Sequence, residues 1–227
     1  GQSGGLGWLD GGADRNRDWT SDATLYAGWL DGAWYAQGHL ATGRYRQDIR
    51  RYLQLGDFML PAGTEYRGGY LDSHAESGVH LHLGTLRITP YAELDYATLH
   101  RDAFAETGGA GFGLESGPQD LSRWQGGLGL RTEGDWSLSG GRRLSLSAYA
   151  QWQRAWSLRG GDFEASFTGL DQWLPLAGIG LSRYEAEFGG TAVLRLTQDT
   201  WLRADAQLLD AQYGRDRELS LQWGTAF

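Results

Sequence analysis

The chain has 227 residues, a formal net charge of -8 and a mean hydropathy of -0.47. Its 20 basic residues are all arginines and are dispersed, which argues against a nucleic-acid partner, and the absence of cysteine excludes disulfides and thiolate metal sites. No apolar run approaches the roughly 18 residues of a membrane-spanning helix, but a membrane strand needs only about 9 to 11 alternating residues.

Segments of alternating apolar and polar residues predict about ten strands. We therefore expect an all-β fold, an up-and-down antiparallel transmembrane β-barrel. In chain order, the predicted strands cover residues 4–10, 23–30, 34–46, a fourth segment that ends at Leu83, and 86–99, 122–132, 144–153, 183–197, 201–211 and 217–227.

The connections between these segments alternate between short and long. Short turns are predicted at Asp31-Gly32, Gly84, 139–141 and 198–200, and long loops at 47–66, 100–120, 158–181 and around Gly214. An up-and-down membrane barrel has short periplasmic turns and longer external loops, whereas a β-sandwich has no reason to keep that order. Counting back from Phe227 places both ends of the chain on the periplasmic side.

The last strand shows the two predicted faces most clearly. Leu219, Leu221 and Trp223 share one face, and Ser220 and Gln222 lie on the other. We expect the leucine face of every strand to meet lipid and the charged face to enclose water. The residues predicted to line this pore are Arg87, Glu93, Asp95, Arg131, Tyr149, Glu185, Glu187, Arg195, Arg203 and Asp205.

Aromatic residues on the apolar face gather near the predicted strand ends, as they do at membrane interfaces. The periplasmic set is Trp29, Trp34 and Phe227, and the external set is Tyr96, Trp124, Trp152, Trp156 and Tyr184, while Trp223 lies deeper. On the polar face, the ring of Tyr149 is predicted to cover Gly127 and Gly129.

The five histidines are weak candidates for chemistry. His80 and His82 share a strand face, but two imidazoles without an evident third ligand do not define a metal site. His100 and Asp102 near an external loop leave a barrel hydrolase open, although no Gly-x-Ser-x-Gly motif is present. We expect no metal, cofactor or catalytic residue and interpret the histidines as polar residues that face the lumen.

Several motifs together resemble the translocator β-domain of autotransporters, the type V secretion family. The segment from Leu25 to Tyr35 followed by Gly43-Arg44-Tyr45-Arg46 is similar to a hairpin of that family, and Pro90-Tyr91-Ala92-Glu93-Leu94 is similar to its mid-barrel strand. The resemblance covers the chain from Ala23 onward. It implies a bacterial outer-membrane barrel that anchors in lipid and translocates an N-terminal passenger to the cell surface.

The resemblance also implies parts beyond this sequence. Barrels of this family have twelve strands and a linker helix in the lumen, so residues 1–227 are interpreted as one translocator domain truncated at its N-terminus. Gln222, Gly224 and Phe227 resemble the terminal signal recognised by the barrel-assembly machinery. The family implies no catalytic activity for the barrel itself.

Two other functions stay open at this point. One is a ten-stranded outer-membrane protease or lipase with acidic and histidine residues at the external rim, and the other is a simple pore or adhesin barrel. Apolar residues in the predicted external loops are expected to fold inward or pack on the rim, with surface adhesion as the alternative. These residues are Phe58, Met59, Leu60, Phe104, Phe112, Trp173 and Leu174.

Overall fold

The computed structural model describes residues 2–8, 15–177 and 182–225, most of which lie in antiparallel strands. Two short 3-10 turns cover Gly109–Gly111 and Ser139–Gly141. The strands are β1 (Gln2–Trp8), β2 (Arg15–Asp31), β3 (Trp34–Leu55), β4 (Phe58–Val79), β5 (Leu81–Leu83), β6 (Leu86–Arg101), β7 (Phe104–Ala105), β8 (Thr107–Gly108), β9 (Leu114–Ser116), β10 (Gln119–Ser137), β11 (Arg143–Arg159), β12 (Asp162–Phe167), β13 (Leu174–Ala177), β14 (Tyr184–Arg195), β15 (Thr200–Ala211) and β16 (Gly214–Thr225).

Ten strands form one continuous meander in the order β1-β2-β3-β4-β6-β10-β11-β14-β15-β16. Two short strands extend it, since β5 pairs with β6 and β8 pairs with β4. Each strand of the meander pairs with the next one in an antiparallel register, which confirms the predicted all-β, up-and-down architecture. Within the described residues, no backbone pairing joins β1 to β16.

The short turns at one end of the meander are confirmed. Gly32 and Gly84 both have a positive φ, of 59° and 62°, which glycine adopts without steric cost. The β2–β3 and β5–β6 hairpins therefore close within two residues. This end is the one predicted to face the periplasm.

The predicted long loops around Gly214 and at 47–66 are wrong. At the first, Ala211 pairs with Gly214 and the β15–β16 hairpin closes within two residues. The β3–β4 register continues without a break from Trp34 opposite Val79 to Leu55 opposite Phe58, and the hairpin closes at Gly56-Asp57. The two strands therefore project well beyond their neighbours. The alternation is concealed because it changes face: Ile49, Leu53 and Leu55 lie on the side of β3 that carries polar residues such as Gln37 and His39 nearer the β2–β3 turn.

The predicted loops at 100–120 and 158–181 contain a second sheet. The strands β13, β12, β9 and β7 pair in that order, and we call these four strands the loop sheet. Each has only two to six residues, too few for a periodic pattern to stand out in the sequence. The segment that contains the loop sheet is joined to the meander through β8, whose Thr107 and Gly108 pair with Gly63 and Ala62.

The distribution of buried and exposed residues is inverted relative to a water-soluble protein. Among the described residues, the buried apolar set has only five members, while Leu219 and Leu221 are 81% and 78% exposed. By contrast, Glu76 is 4% exposed. A soluble fold buries its large aliphatic side chains and exposes its carboxylates, so the apolar face here needs a non-aqueous surrounding.

Candidate functional site

The candidate site is the polar face of the meander. The cross-strand registers place all ten residues predicted to line the pore on this one face, from Arg87 on β6 to Asp205 on β15. Leu146 and Leu194 lie on the opposite face with Leu221. That the polar face lines a pore stays a prediction.

A bidentate ion pair lies at the centre of this face. Arg131 on β10 donates from Nη1 to Glu76 Oε1 at 2.8 Å and from Nη2 to Glu76 Oε2 at 2.6 Å. Tyr35 Oη and Gln37 Nε2 also donate to Glu76 Oε1, at 2.8 and 3.1 Å. Because Glu76 is buried, each of these charge-assisted bonds offsets part of its desolvation.

The same ion pair spans β6, a strand that carries neither of its two residues. Glu76 lies on β4 and Arg131 on β10, with β6 between them. The guanidinium carbon of Arg131 lies 3.8 Å from the centroid of the Tyr91 ring on β6, in a cation-π contact. The contact links three strands through side chains in addition to their backbone hydrogen bonds.

Amide side chains extend this network to β11. Gln151 and Gln153 both donate to Glu93 Oε1 at 2.5 Å, and Tyr91 Oη donates to Gln151 Oε1 at 2.8 Å. Glu93 reaches β11 across Gly127, where an added Cβ would lie 2.5 Å from the Glu93 carboxylate oxygen. Glycine at that position therefore leaves room for the carboxylate to cross β10.

The prediction for Tyr149 is corrected. Its ring covers Gly189 on β14, where a Cβ would overlap the ring, and the ring over Gly129 belongs to Tyr91. The reason is register: Gly189 is the direct cross-strand partner of Tyr149. The Tyr149 hydroxyl donates to Glu187 Oε1 at 2.5 Å, and Gln207 donates to the same oxygen at 2.7 Å.

Toward the turn end the polar face carries local ion pairs. Arg87 Nη2 binds Glu133 Oε2 at 2.5 Å, and Arg203 binds Asp205, two residues along the same strand, at 2.8 Å. Arg195 is the cross-strand partner of Arg143. All of these groups are well exposed, apart from the carboxylate of Asp205.

Two histidines pair with aspartates on the same face. His74 Nδ1 lies 2.6 Å from Asp95 Oδ1, and His39 Nε2 lies 2.8 Å from Asp72 Oδ1. Their rings stack with centroids 5.5 Å apart. The predicted pair of His80 and His82 does not join them, since His80 stacks on Tyr35.

One group of side chains could hold a metal ion. The ligand atoms of His74, Glu76 and Glu93 lie within 4.8 Å of one another. Both oxygens of Glu76 already accept from Arg131, whose positive charge opposes a cation at that carboxylate. The sequence analysis did not find this group, because its members lie on two different strands with no motif between them.

The other end of the polar face is covered by the loop sheet. Glu106, between β7 and β8, is 7% exposed and accepts from Arg51 Nε at 3.0 Å and Arg51 Nη2 at 2.8 Å. Phe104 packs on Tyr66 with ring centroids 4.5 Å apart, as predicted for an apolar loop residue. Phe58 and Met59 differ, since they remain 72% and 58% exposed at the hairpin tip, and Phe112, Trp173 and Leu174 are exposed as well.

The terminal signal is only partly described. Gln222 lies opposite Arg203, and Gly224 lies opposite Trp201, whose ring occupies the space a Cβ on Gly224 would need. Phe227 lies outside the described residues. Of the described chain, no helix is long and apolar enough to cross a membrane.

A polar hydrogen-bonded face and an exposed apolar face on one antiparallel meander define the class of outer-membrane β-barrels. The family model described as Autotransporter beta-domain matches residues 3–207, most of the chain. The chain therefore belongs to the autotransporter β-domain family. This confirms the resemblance found in the sequence.

One solved structure that the chain resembles agrees with this assignment of the fold. The translocator domain of autotransporter NalP from Neisseria meningitidis is 20% identical, with 93% of this chain and 68% of that chain covered and a TM-score of 0.51. The beta domain of the Bordetella autotransporter BrkA is 16% identical over 93% of this chain and 88% of that chain, with a TM-score of 0.37. No curated protein sequence matches the chain significantly.

Family membership settles the general function. The chain is an outer-membrane β-barrel that translocates a passenger domain, and neither the hydrolase nor the adhesin alternative receives support. Autotransporter translocator domains are generally non-enzymatic. The family also implies a passenger and an outer-membrane context.

Proposed function

We propose that the polar face of the meander encloses the conduit through which this chain's own N-terminal passenger crosses the outer membrane as an extended polypeptide. The ten predicted residues from Arg87 to Asp205 line the conduit. One observation carries the proposal: on this face most of the charged groups bind one another or neutral polar side chains. A passing chain therefore meets mainly hydrated polar groups, among which apolar side chains such as Val193, Trp201 and Leu209 are few.

The proposal includes the partners implied by the family. Residues 1–227 form one translocator domain, preceded by a linker helix that occupies the lumen and by further strands. The apolar face contacts outer-membrane lipid, and Gln222, Gly224 and Phe227 form the signal for the barrel-assembly machinery. The barrel makes and breaks no covalent bond, needs no cofactor and binds no nucleic acid.

Surface display tests the conduit. A small unfolded reporter fused upstream of the full chain is expected to become accessible to protease outside intact Gram-negative cells. Ser147→Trp places a bulky ring on the polar face and is expected to reduce display several-fold, whereas Ala148→Trp on the apolar face serves as the matched control.

The amount of folded barrel in the membrane must be equal for both variants, measured from the heat-modifiable band on gels. Equal display by Ser147→Trp and Ala148→Trp in that case would refute a conduit along the polar face. A reporter that stays in the periplasm while the unmodified barrel is inserted would refute translocation itself.

A further inference from the structure

A cluster of arginines lies on the apolar face, where the strands leave the predicted hydrocarbon zone. Arg17 on β2, Arg44, Arg46 and Arg50 on β3, and Arg67 on β4 are all exposed. We call these five residues the rim arginine cluster. They share a face with Leu25 and Leu40, because the β2–β3 and β3–β4 registers are unbroken.

The position along the strands places the cluster at the external interface. An apolar band about 25 Å tall takes about ten residues of a strand tilted by about 40°. On β3, Arg44 comes ten residues after Trp34, at the periplasmic turn; on β4, Arg67 comes twelve residues before Val79. The guanidinium groups of Arg44, Arg46 and Arg67 therefore lie at the level of lipid headgroups. Arg50, sixteen residues after Trp34, and Arg17, fourteen residues before Asp31, lie further out.

The local charge is strongly positive on a chain whose net charge is -8. Arg46 and Arg67 are direct cross-strand partners, a pairing that repels unless an anion intervenes. The carboxylate of Glu65 lies between them: it binds Arg46 at 2.5 Å and also binds Arg67. The hydrogen bond from Arg67 lowers the pKa of Glu65. One carboxylate is thus divided between two guanidinium groups.

The remaining three members of the cluster have even less compensation. The second carboxylate near the cluster belongs to Asp48, and it lies 3.7 Å from Arg46. Arg17, Arg44 and Arg50 form no ion pair with any side chain that the structure describes. Asp48 is the direct cross-strand partner of Arg17 but forms no ion pair with it, so among the described residues these three arginines have no bound counter-ion.

We propose that the rim arginine cluster is a binding site for the phosphate groups of anionic lipid headgroups in the surface leaflet. Guanidinium groups bind phosphate through two parallel hydrogen bonds and desolvate more readily than ammonium groups. Arg46 and Arg67 are cross-strand partners at one depth, and with Arg44 two residues away they match a headgroup that carries more than one phosphate. This inference rests on the membrane insertion included in the proposed function.

The test compares lipids that differ only in phosphate. The folded full chain in detergent micelles is titrated with bis-phosphorylated lipid A and with the same lipid after enzymatic removal of both phosphates. We expect at least tenfold tighter binding of the phosphorylated lipid, and we expect added salt to weaken that binding.

Matched variants locate the site. R44Q/R46Q removes two arginines two residues apart on β3, and R215Q/R217Q removes two with the same spacing on the apolar face of β16. Arg215 lies ten residues from Thr225, at a comparable depth, and already pairs with Asp210 at 3.2 Å. We expect R44Q/R46Q to weaken binding of phosphorylated lipid A about tenfold and R215Q/R217Q to change it less than twofold.

Equal affinity for the two lipids, or equal loss in the two variants, would overturn this inference. Ion conductance of the same protein in phosphatidylcholine bilayers reports the proposed function separately. Conducting pores without a phosphate preference would contradict only the lipid site, whereas absence of conductance would count against the conduit.

Discussion

The polar face has two halves that the same alternating sequence pattern encodes but that differ in how their charges are held. On β3 to β11, Glu76, Arg131 and Glu93 bind partners on other strands and are at least partly buried. On β14 to β16, Arg203 binds Asp205 on its own strand and stays exposed. The first half is a cross-strand brace, whereas the second is a solvated wall.

The alternating pattern therefore determines which face a residue occupies but not which contacts its side chain makes or how much those contacts stabilise the barrel. A charge pair inside a network of buried groups cannot lose one partner without leaving the other desolvated, whereas water replaces a lost partner at an exposed pair. Loss of one partner should therefore destabilise the brace strongly, whereas the wall should tolerate the same loss.

The largest expected effect comes from breaking the brace. Arg131→Met should destabilise the barrel by about 3 kcal/mol because Glu76 stays buried without its counter-ion. Arg203→Met in the solvated wall should leave the urea midpoint of unfolding unchanged. The midpoint is read from the heat-modifiable folded band.

The double variant Glu76→Leu with Arg131→Met removes both charges and should regain most of the lost stability. If Arg131→Met and Arg203→Met shift the urea midpoint equally, the distinction between the two halves fails.

A smaller effect is expected where rings cover glycines. Gly129→Ala places a methyl group into the ring of Tyr91, which is 5% exposed and held by Arg131, so the ring cannot move aside. We expect a loss of about 1 to 3 kcal/mol in the free energy of unfolding. Gly224→Ala beneath the less buried Trp201 should cost less, and the reverse order of the two would contradict the comparison.

The smallest effect lies at the external rim, outside both halves. The hydrogen bond with Asp120, at 2.7 Å, raises the pKa of His100. The resulting stabilisation is present below the ordinary pKa of histidine and is lost as pH rises through the raised value. Asp120→Asn should lower the His100 pKa, which NMR titration of the ring protons measures; an unchanged value would show that Asp120 does not set it.

Much of the fold could be predicted from the sequence, because residues on the two faces of a strand alternate along the chain. The ten strands of the meander, the short turns at its predicted periplasmic end and the common face of residues such as Glu93 and Glu187 follow from that period. The loop sheet could not be predicted, since strands such as Phe104–Ala105 carry no period and its buried Glu106 needs Arg51 from a distant hairpin.

The contacts between side chains of the site could not be predicted from the sequence either. Which carboxylate Arg131 binds depends on register and on the side-chain reach across β6, and neither is local information. The same limit explains the error at Tyr149, because the glycine beneath a ring is chosen by the neighbouring strand's register and not by spacing along the chain.

The most direct test of the account uses single cysteines in this cysteine-free chain. Ser147→Cys and Ala148→Cys are adjacent, similar in size and both exposed, but they lie on opposite faces of β11. In lipid vesicles a charged thiol reagent should label Ser147→Cys rapidly and Ala148→Cys barely at all, while both react after unfolding. Rapid labelling of Ala148→Cys with protection of Ser147→Cys would contradict a wet polar face and a lipid-covered apolar face.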